Sequence, residues 1–195
     1  MKQEPVRRQV HRILMVEDRL LLWRFKNGSE DALCRIYEKY RSTLLKLVVA
    51  LVNDTTAAED IVQDVFVSFA QSGERLRVSG NLHGYLAASV ANRVRNRYRA
   101  GQGQQKVGTD KGAGVPSDSK TPEQWASYSE ELKKLNDALA QLPYEQREVI
   151  LLHVHGAMRF RAIAQSQKVS LNTVQSRYRY GIEKLRSLLD SEPGA

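Results

Sequence analysis

MRFRAIAQSQKVSLNTVQSRYRYGIEKLRSLL, residues 158–189, decides the fold. Phe160, Ile163 and Ala164 make an apolar face on a short helix. Gln167, Lys168 and Val169 form a turn, and Ser170 suits the N-cap of a second helix, where its hydroxyl can accept from an orphan backbone N–H. On that second helix Val174, Tyr178, Gly181, Leu185 and Leu188 recur at steps of four and three, which defines one buried stripe. The other face carries Asn172, Thr173, Gln175, Ser176, Arg177, Arg179 and Tyr180, side chains that bond phosphates and base edges. The pattern is that of a helix-turn-helix with its polar face turned outward. An ordinary helical hairpin with a solvated basic face is the alternative on these residues alone. His153 and His155 are two apart, so on a helix they point to different faces; a metal pair needs i, i+4 spacing.

Upstream of this domain lies GQGQQKVGTDKGAGVPSDSK, residues 101–120, which has no large apolar side chain to offset the entropy of ordering its backbone and is expected to be a flexible linker. Thr121-Pro122 reads as the start of the helices that follow, with Thr as N-cap and Pro at the first helical position. Before the linker, apolar residues recur at helical spacing from about residue 17 to residue 99, without the alternation that strands require. Residues 1–16 form a basic extension without clear pattern. The expected architecture is all-α, two small helical domains on a tether, spanning 17–100 and 121–190.

Ser29 is a plausible N-cap for a helix that places Leu33, Ile36, Tyr37, Tyr40, Leu44 and Leu47 along one stripe. After a break at Asn53-Asp54, Ile61, Val62, Val65, Phe66 and Phe69 would face a core, with Asp60, Gln63, Asp64 and Val67 opposite. That acidic face is either solvated surface or a patch for a basic partner. From about Leu82 a further helix places Leu86, Ala87, Val90, Ala91, Val94 and Tyr98 on one stripe. Arg93 and Arg97 flank the stripe on one side, Arg95 and Arg99 on the other, with Asn92 and Asn96 outermost. Two rows of guanidinium forks are thereby expected to stay free for phosphates and bases. A basic, solvated helix end is the alternative.

The composition agrees with a polyanionic partner: 30 Lys+Arg against 22 Asp+Glu give a net charge of +8. The single Cys34 excludes an internal disulfide and suits a reducing compartment. No apolar stretch approaches the roughly 20 residues of a membrane span. No phosphate-cradling Gly loop, nucleophile–base pair or metal spacing is present, so neither an enzyme nor a cofactor is expected.

Residues 142–189 resemble region 4 of the extracytoplasmic-function (ECF) sigma factors of RNA polymerase. The resemblance rests on Leu142-Pro143, Gln146-Arg147-Glu148-Val149, Ile163-Ala164 and Thr173-Val174-Gln175-Ser176-Arg177. Departures are Arg161 in place of an acid, Lys168 in place of the turn Gly, Gln167 in place of Leu, and Gln175 in place of a base. AEDIVQDVF, residues 58–66, is similar to the family's region 2.2, and residues 73–99 to regions 2.3 and 2.4. The resemblance implies a sigma factor that binds core polymerase and directs promoter-specific initiation. Asp60, Gln63 and Asp64 would grip the β′ clamp helices, with the β flap as a second contact. Asn172, Thr173, Gln175, Ser176, Arg177, Arg179 and Tyr180 would read the −35 element. The −10 element would fall to Asn92, Arg93, Arg95, Asn96, Arg97 and Arg99, with Arg77, Ser79, Asn81 and His83 as loop candidates for holding a flipped base. It further implies cytoplasmic work, no membrane insertion, an anti-sigma protein or other inhibitor as partner, and domains loosely tethered until polymerase fixes them. A stand-alone helix-turn-helix regulator is the competing reading, and it would have no use for the acidic face of residues 58–64.

Overall fold

The computed structural model describes residues 16–76, 78, 81–105 and 130–190. The basic extension up to residue 15, Arg77, Ser79, most of the expected linker and the Thr121 cap lie outside the described residues.

The first unit is built from four helices: α1 (16–26), α2 (Glu30–Val52), α3 (Thr55–Ser72) and α4 (Leu82–Gln105). Each start has a chemical cause. Ser29 Oγ accepts from the Ala32 N–H at 3.3 Å, and Asp54 Oδ1 accepts from the Ala57 N–H at 3.1 Å. Asn53 ends α2 in the left-handed region at φ 57°, which an asparagine tolerates, so the Asn53-Asp54 break closes one helix and opens the next. Asn81 Oδ1 accepts from the Gly84 N–H and caps α4. The expected stripes are the buried ones: Ile36, Tyr40, Leu44 and Leu47 from α2, Ile61, Val62, Val65, Phe66 and Phe69 from α3, and Leu86, Ala87, Val90, Ala91 and Val94 from α4. Tyr37 and Leu33 sit at the edge of their stripe rather than inside it. Burying each large aliphatic side chain contributes about 1.5–3 kcal/mol, so this stripe packing dominates the unit's stability. Helix α1 is pinned by Phe25 stacked on Phe69 at 4.8 Å and by buried Asp18, which accepts from the Tyr40 hydroxyl at 2.6 Å and the Lys39 ammonium at 2.8 Å.

The second unit contains α5 (Glu130–Ala140), α6 (Tyr144–Val154), α7 (Phe160–Gln167) and α8 (Leu171–Asp190). α7 and α8 form the expected helix-turn-helix, with Ser170 Oγ accepting from the Thr173 N–H at 3.0 Å. The turn passes through Lys168 at φ 57°, a left-handed position that explains the preference for glycine there. Gly181 lets α8 approach α6: a Cβ there would lie 3.2 Å from the Gln146 Cβ. His153 packs against the rings of Phe160 and Tyr178, and its Nδ1 lies 2.8 Å from the Met158 carbonyl oxygen.

Two expectations are corrected. First, α4 continues to Gln105, into the stretch expected to be linker from residue 101. Gly101 and Gly103 cost a helix about 1 kcal/mol each but do not end one already nucleated by packing. Second, the units are not loosely separated. α6 lies against α2 and α4, and α5 touches α2, so one buried cluster runs through both units. The Tyr98 and Tyr144 rings meet at 5.0 Å across this boundary. Gly156 approaches Ala87 so closely that a Cβ would lie 3.1 Å from the alanine's own.

Candidate polymerase and nucleic-acid interfaces

α3 turns its apolar side fully inward, and this forces Asp60, Gln63 and Asp64 onto the outer surface, where all three are exposed. They form an acid–amide–acid ridge together with the half-exposed Val67. Asp64 is not free within it. Arg93 of α4 donates to Asp64 Oδ2 from Nη2 at 2.7 Å and from Nε at 3.2 Å. The expectation that all the α4 arginines stand free is therefore wrong for Arg93. Both partners are about half exposed, so the pair orients the two helices' polar edges more than it stabilises them.

On α4, Arg97, Arg99 and Asn96 are exposed, and Asn92 is half-buried. Arg95 is the second exception. Its guanidinium donates to the carboxylate of Glu148 on α6 and to Asn92 Oδ1 at 2.9 Å, which leaves the side chain 17% exposed. Glu148 is buried at 1% exposure; burial pushes its carboxyl up, partly offset by Arg95's hydrogen bond and charge and by the charge of Arg177. Its second oxygen accepts from Gln167 Nε2 at 3.0 Å, and Gln167 Oε1 accepts from Arg177 Nη1 at 3.0 Å. These four side chains border a cavity of about 240 Å³ between the units, closed on another side by Tyr98 and Tyr144.

The loop before α4 also departs from expectation. Asn81, expected in base capture, is committed to capping its own helix. His83 stacks on Tyr40 at 5.4 Å, and its Nε2 is buried without a hydrogen-bond partner among the described residues. Burial lowers its pKa, only partly countered by Asp18. A ring held this way packs the core rather than meeting solvent.

On α8, Asn172, Gln175, Arg179 and Tyr180 are exposed, whereas Thr173, Ser176 and Arg177 are half-buried. Thr173 shares a 2.8 Å hydrogen bond with the capping Ser170. Arg179 lies over the Tyr180 ring at 4.8 Å, which holds its guanidinium along the outer face. Glu148 and Gln167 were not legible as site residues, because their partners come from another helix of the fold. Among the described residues no group of three or more His, Cys, Asp or Glu could hold a metal ion, and no helix is long and apolar enough to cross a membrane.

Among the described residues the fold is all-helical, with an acidic ridge, an arginine-bearing helix beside it and a helix-turn-helix in a second unit, an arrangement of the helical DNA-binding class. Comparison with known proteins makes the class specific. The family model for sigma-70 region 2 matches residues 36–104, and that for sigma-70 region 4 matches residues 132–185. The ECF RNA polymerase sigma factor SigL of Mycobacterium tuberculosis is 28% identical over 164 residues, covering 83% of this chain and 92% of that protein. SigK of Mycobacterium bovis is 24% identical over 172 residues, covering 87% and 92%. In fold the chain is similar to CnrH, solved in complex with the cytosolic domain of CnrY (TM-score 0.66, 21% identity, 91% of this chain and 99% of that one). It is also similar to the sigma factor RpoE of Bartonella quintana, solved with the anti-sigma factor NepR (TM-score 0.59, 22% identity, 82% and 97%). The chain belongs to the ECF sigma factors, the subunits that bind core RNA polymerase and direct promoter-specific initiation.

Proposed function

We propose a division of labour among three faces. The α3 ridge of Asp60, Gln63 and Asp64 binds the β′ clamp helices of core polymerase, with the β flap as a second contact near the helix-turn-helix unit. α8 enters the major groove of the −35 element through Asn172, Gln175, Arg179 and Tyr180, with Thr173, Ser176 and Arg177 at its edge. α4 follows the melted −10 strand through Asn92, Arg93, Arg95, Asn96, Arg97 and Arg99, where guanidinium forks suit phosphates and stack on unpaired bases. The functional units are those expected from the sequence, 17–100 and 121–190, with the first running on to the end of α4. Asn81 and His83 support the −10 surface from within instead of touching the base.

The observation that carries this proposal is the exposure of two carboxylates and an amide, Asp60, Asp64 and Gln63, on a helix whose opposite side is buried. A stand-alone regulator would have no need of that ridge. The factor works in the cytoplasm, where polymerase and chromosome meet, and polymerase supplies all the chemistry. An inhibitory protein partner is part of the proposal, supported by the similar structure of the sigma factor RpoE solved with the anti-sigma factor NepR, and by that of CnrH solved with the cytosolic domain of CnrY. Equilibrium binding to core polymerase tests the whole assignment. The purified chain should bind core and confer promoter-dependent transcripts on it, and failure to bind core at any concentration would remove the proposal.

A further inference from the structure

We propose that the cavity bordered by Arg95, Arg99 and Arg177 is a binding site for a small phosphorylated ligand of the mononucleotide class. The phosphate would sit among the three guanidiniums, and the ring against Tyr98, Tyr144 and Val169. This goes beyond promoter reading, and nothing in it depends on which DNA element α4 meets.

Four helices build the site. Arg95, Tyr98 and Arg99 stand at i, i+3 and i+4 on α4, so one face of that helix presents two guanidiniums and a ring. Tyr144, Glu145 and Glu148 come from the first turns of α6, Gln167 from the end of α7, and Arg177 from α8. The lining therefore sets three guanidiniums against two carboxylates.

Its hydrogen bonding is unbalanced in the same direction. Both carboxylate oxygens of Glu148 are taken, by Arg95 and by Gln167, so that charge is answered within the wall. Arg177 donates to Gln167, whereas Arg99 is exposed and makes no hydrogen bond or ion pair among the described residues. Each guanidinium carries five N–H donors, so most of the donors of the three arginines remain unspent. Tyr144 adds another: its hydroxyl is buried without a partner among the described residues, a costly state that a ligand oxygen would relieve. α6 also begins at this cavity with no side chain capping it, and the positive end of a helix favours an anion.

Surplus donors with surplus positive charge call for a compact group of anionic oxygens, and guanidinium forks match phosphate bidentately. Inorganic phosphate alone would leave the other wall unused. There the rings of Tyr98 and Tyr144 meet at 5.0 Å with their planes 42° apart, and Val169 completes the apolar lining. A base packs on tyrosine through its π-face whatever its sequence identity. Glu145, exposed and unpaired, keeps its oxygens free for a sugar hydroxyl or a base amino group. The cavity's volume of about 240 Å³ lies below the roughly 300 Å³ at which sites for drug-sized ligands begin, which limits the ligand to a single nucleotide.

The test is calorimetric titration of the full chain without polymerase. The probes are the monophosphates of adenosine, guanosine and uridine, with inorganic phosphate and the three unphosphorylated nucleosides as partial ligands. At least one monophosphate should bind at a single site, about tenfold or more tighter than phosphate or its own nucleoside. Arg99→Gln and Tyr144→Phe each remove donors with little change of volume. Each should weaken that monophosphate about tenfold, the loss of one hydrogen bond to a charged group. Arg41→Gln, at an exposed arginine outside the lining, should bind as wild type. The proposal is overturned if no monophosphate binds, or if phosphate alone binds as tightly as the nucleotides. It is overturned equally if folded Arg99→Gln and Tyr144→Phe chains keep wild-type affinity. Any of these leaves the sigma assignment standing, since that is read from promoter-dependent transcription with core.

Discussion

Replacing Asp60 by lysine isolates the polymerase-binding ridge from the fold. Asp60 is exposed and makes no ion pair among the described residues, so Asp60→Lys should change folding free energy by no more than about 0.5 kcal/mol, the usual range for a surface site. Asp64 needs separate treatment, because it pairs with Arg93 at 2.7 Å. With both side chains about half exposed, Asp64→Asn should cost only about 0.2–1 kcal/mol of stability. Against a basic partner the scale is different. Losing one member of a buried, hydrogen-bonded interfacial charge pair costs about 2–5 kcal/mol, so each variant should raise Kd for core by about 30-fold or more. Titration of fluorescent core polymerase gives the affinity, and thermal unfolding followed by circular dichroism gives the stability control. An Asp60→Lys chain that unfolds like wild type and binds core within about threefold of it, a difference under 1 kcal/mol, would refute the placement of the ridge in the interface.

Three further outcomes follow from particular residues. Lys168→Gly should stabilise the helix-turn-helix by about 0.5–1 kcal/mol, the left-handed strain of about 1–2 kcal/mol less the extra unfolded entropy of glycine. A melting midpoint that does not rise would mean the lysine side chain contributes more than its backbone costs. Arg179→Ala should reduce the salt slope of −35 duplex binding by about one unit if it meets a phosphate, whereas Arg177→Ala should cost about 1–3 kcal/mol at one base pair if it reads an edge. Wild-type binding by both at every salt concentration would show that α8 presents a different face. His83 is held neutral by burial, so its folded pKa lies below the ordinary 6.5; its contribution to stability is present above that value and is lost as pH falls through it. Urea midpoints should drop between about pH 7.5 and about pH 5.5, and His83→Phe should shrink the drop; an identical drop would assign it elsewhere.

The sequence pattern located what depends on local spacing. The stripes of α2, α3 and α4, the caps at Ser29 and Ser170, and the Asn53-Asp54 break all follow from periodicity and from short side chains meeting nearby N–H groups. What it missed joins distant parts of the chain. Arg93 meets Asp64 across 29 positions, and Arg95 meets Glu148 across 53. A helical wheel tells which residues turn away from their own core, but not which of those a second unit covers. Arg95 faces outward from its own unit and is covered all the same. Asn81 and His83 have local partners that the pattern did not show. Polar residues before a helix suit base capture and capping equally, although Asn directly before Leu82 is itself an N-cap signal. The length of α4 was misjudged because glycines weaken a helix without stopping it.

Permanganate footprinting of a selected promoter tests the central claim most directly, because only unpaired thymines react. With core polymerase and this chain together, thymines around the start site should become reactive, and both promoter elements should be protected. With either component alone, the duplex should stay closed and the free chain should bind it weakly. Tight, sequence-specific protection by the chain alone, with no opening and no promoter activity when core is added, would contradict the account.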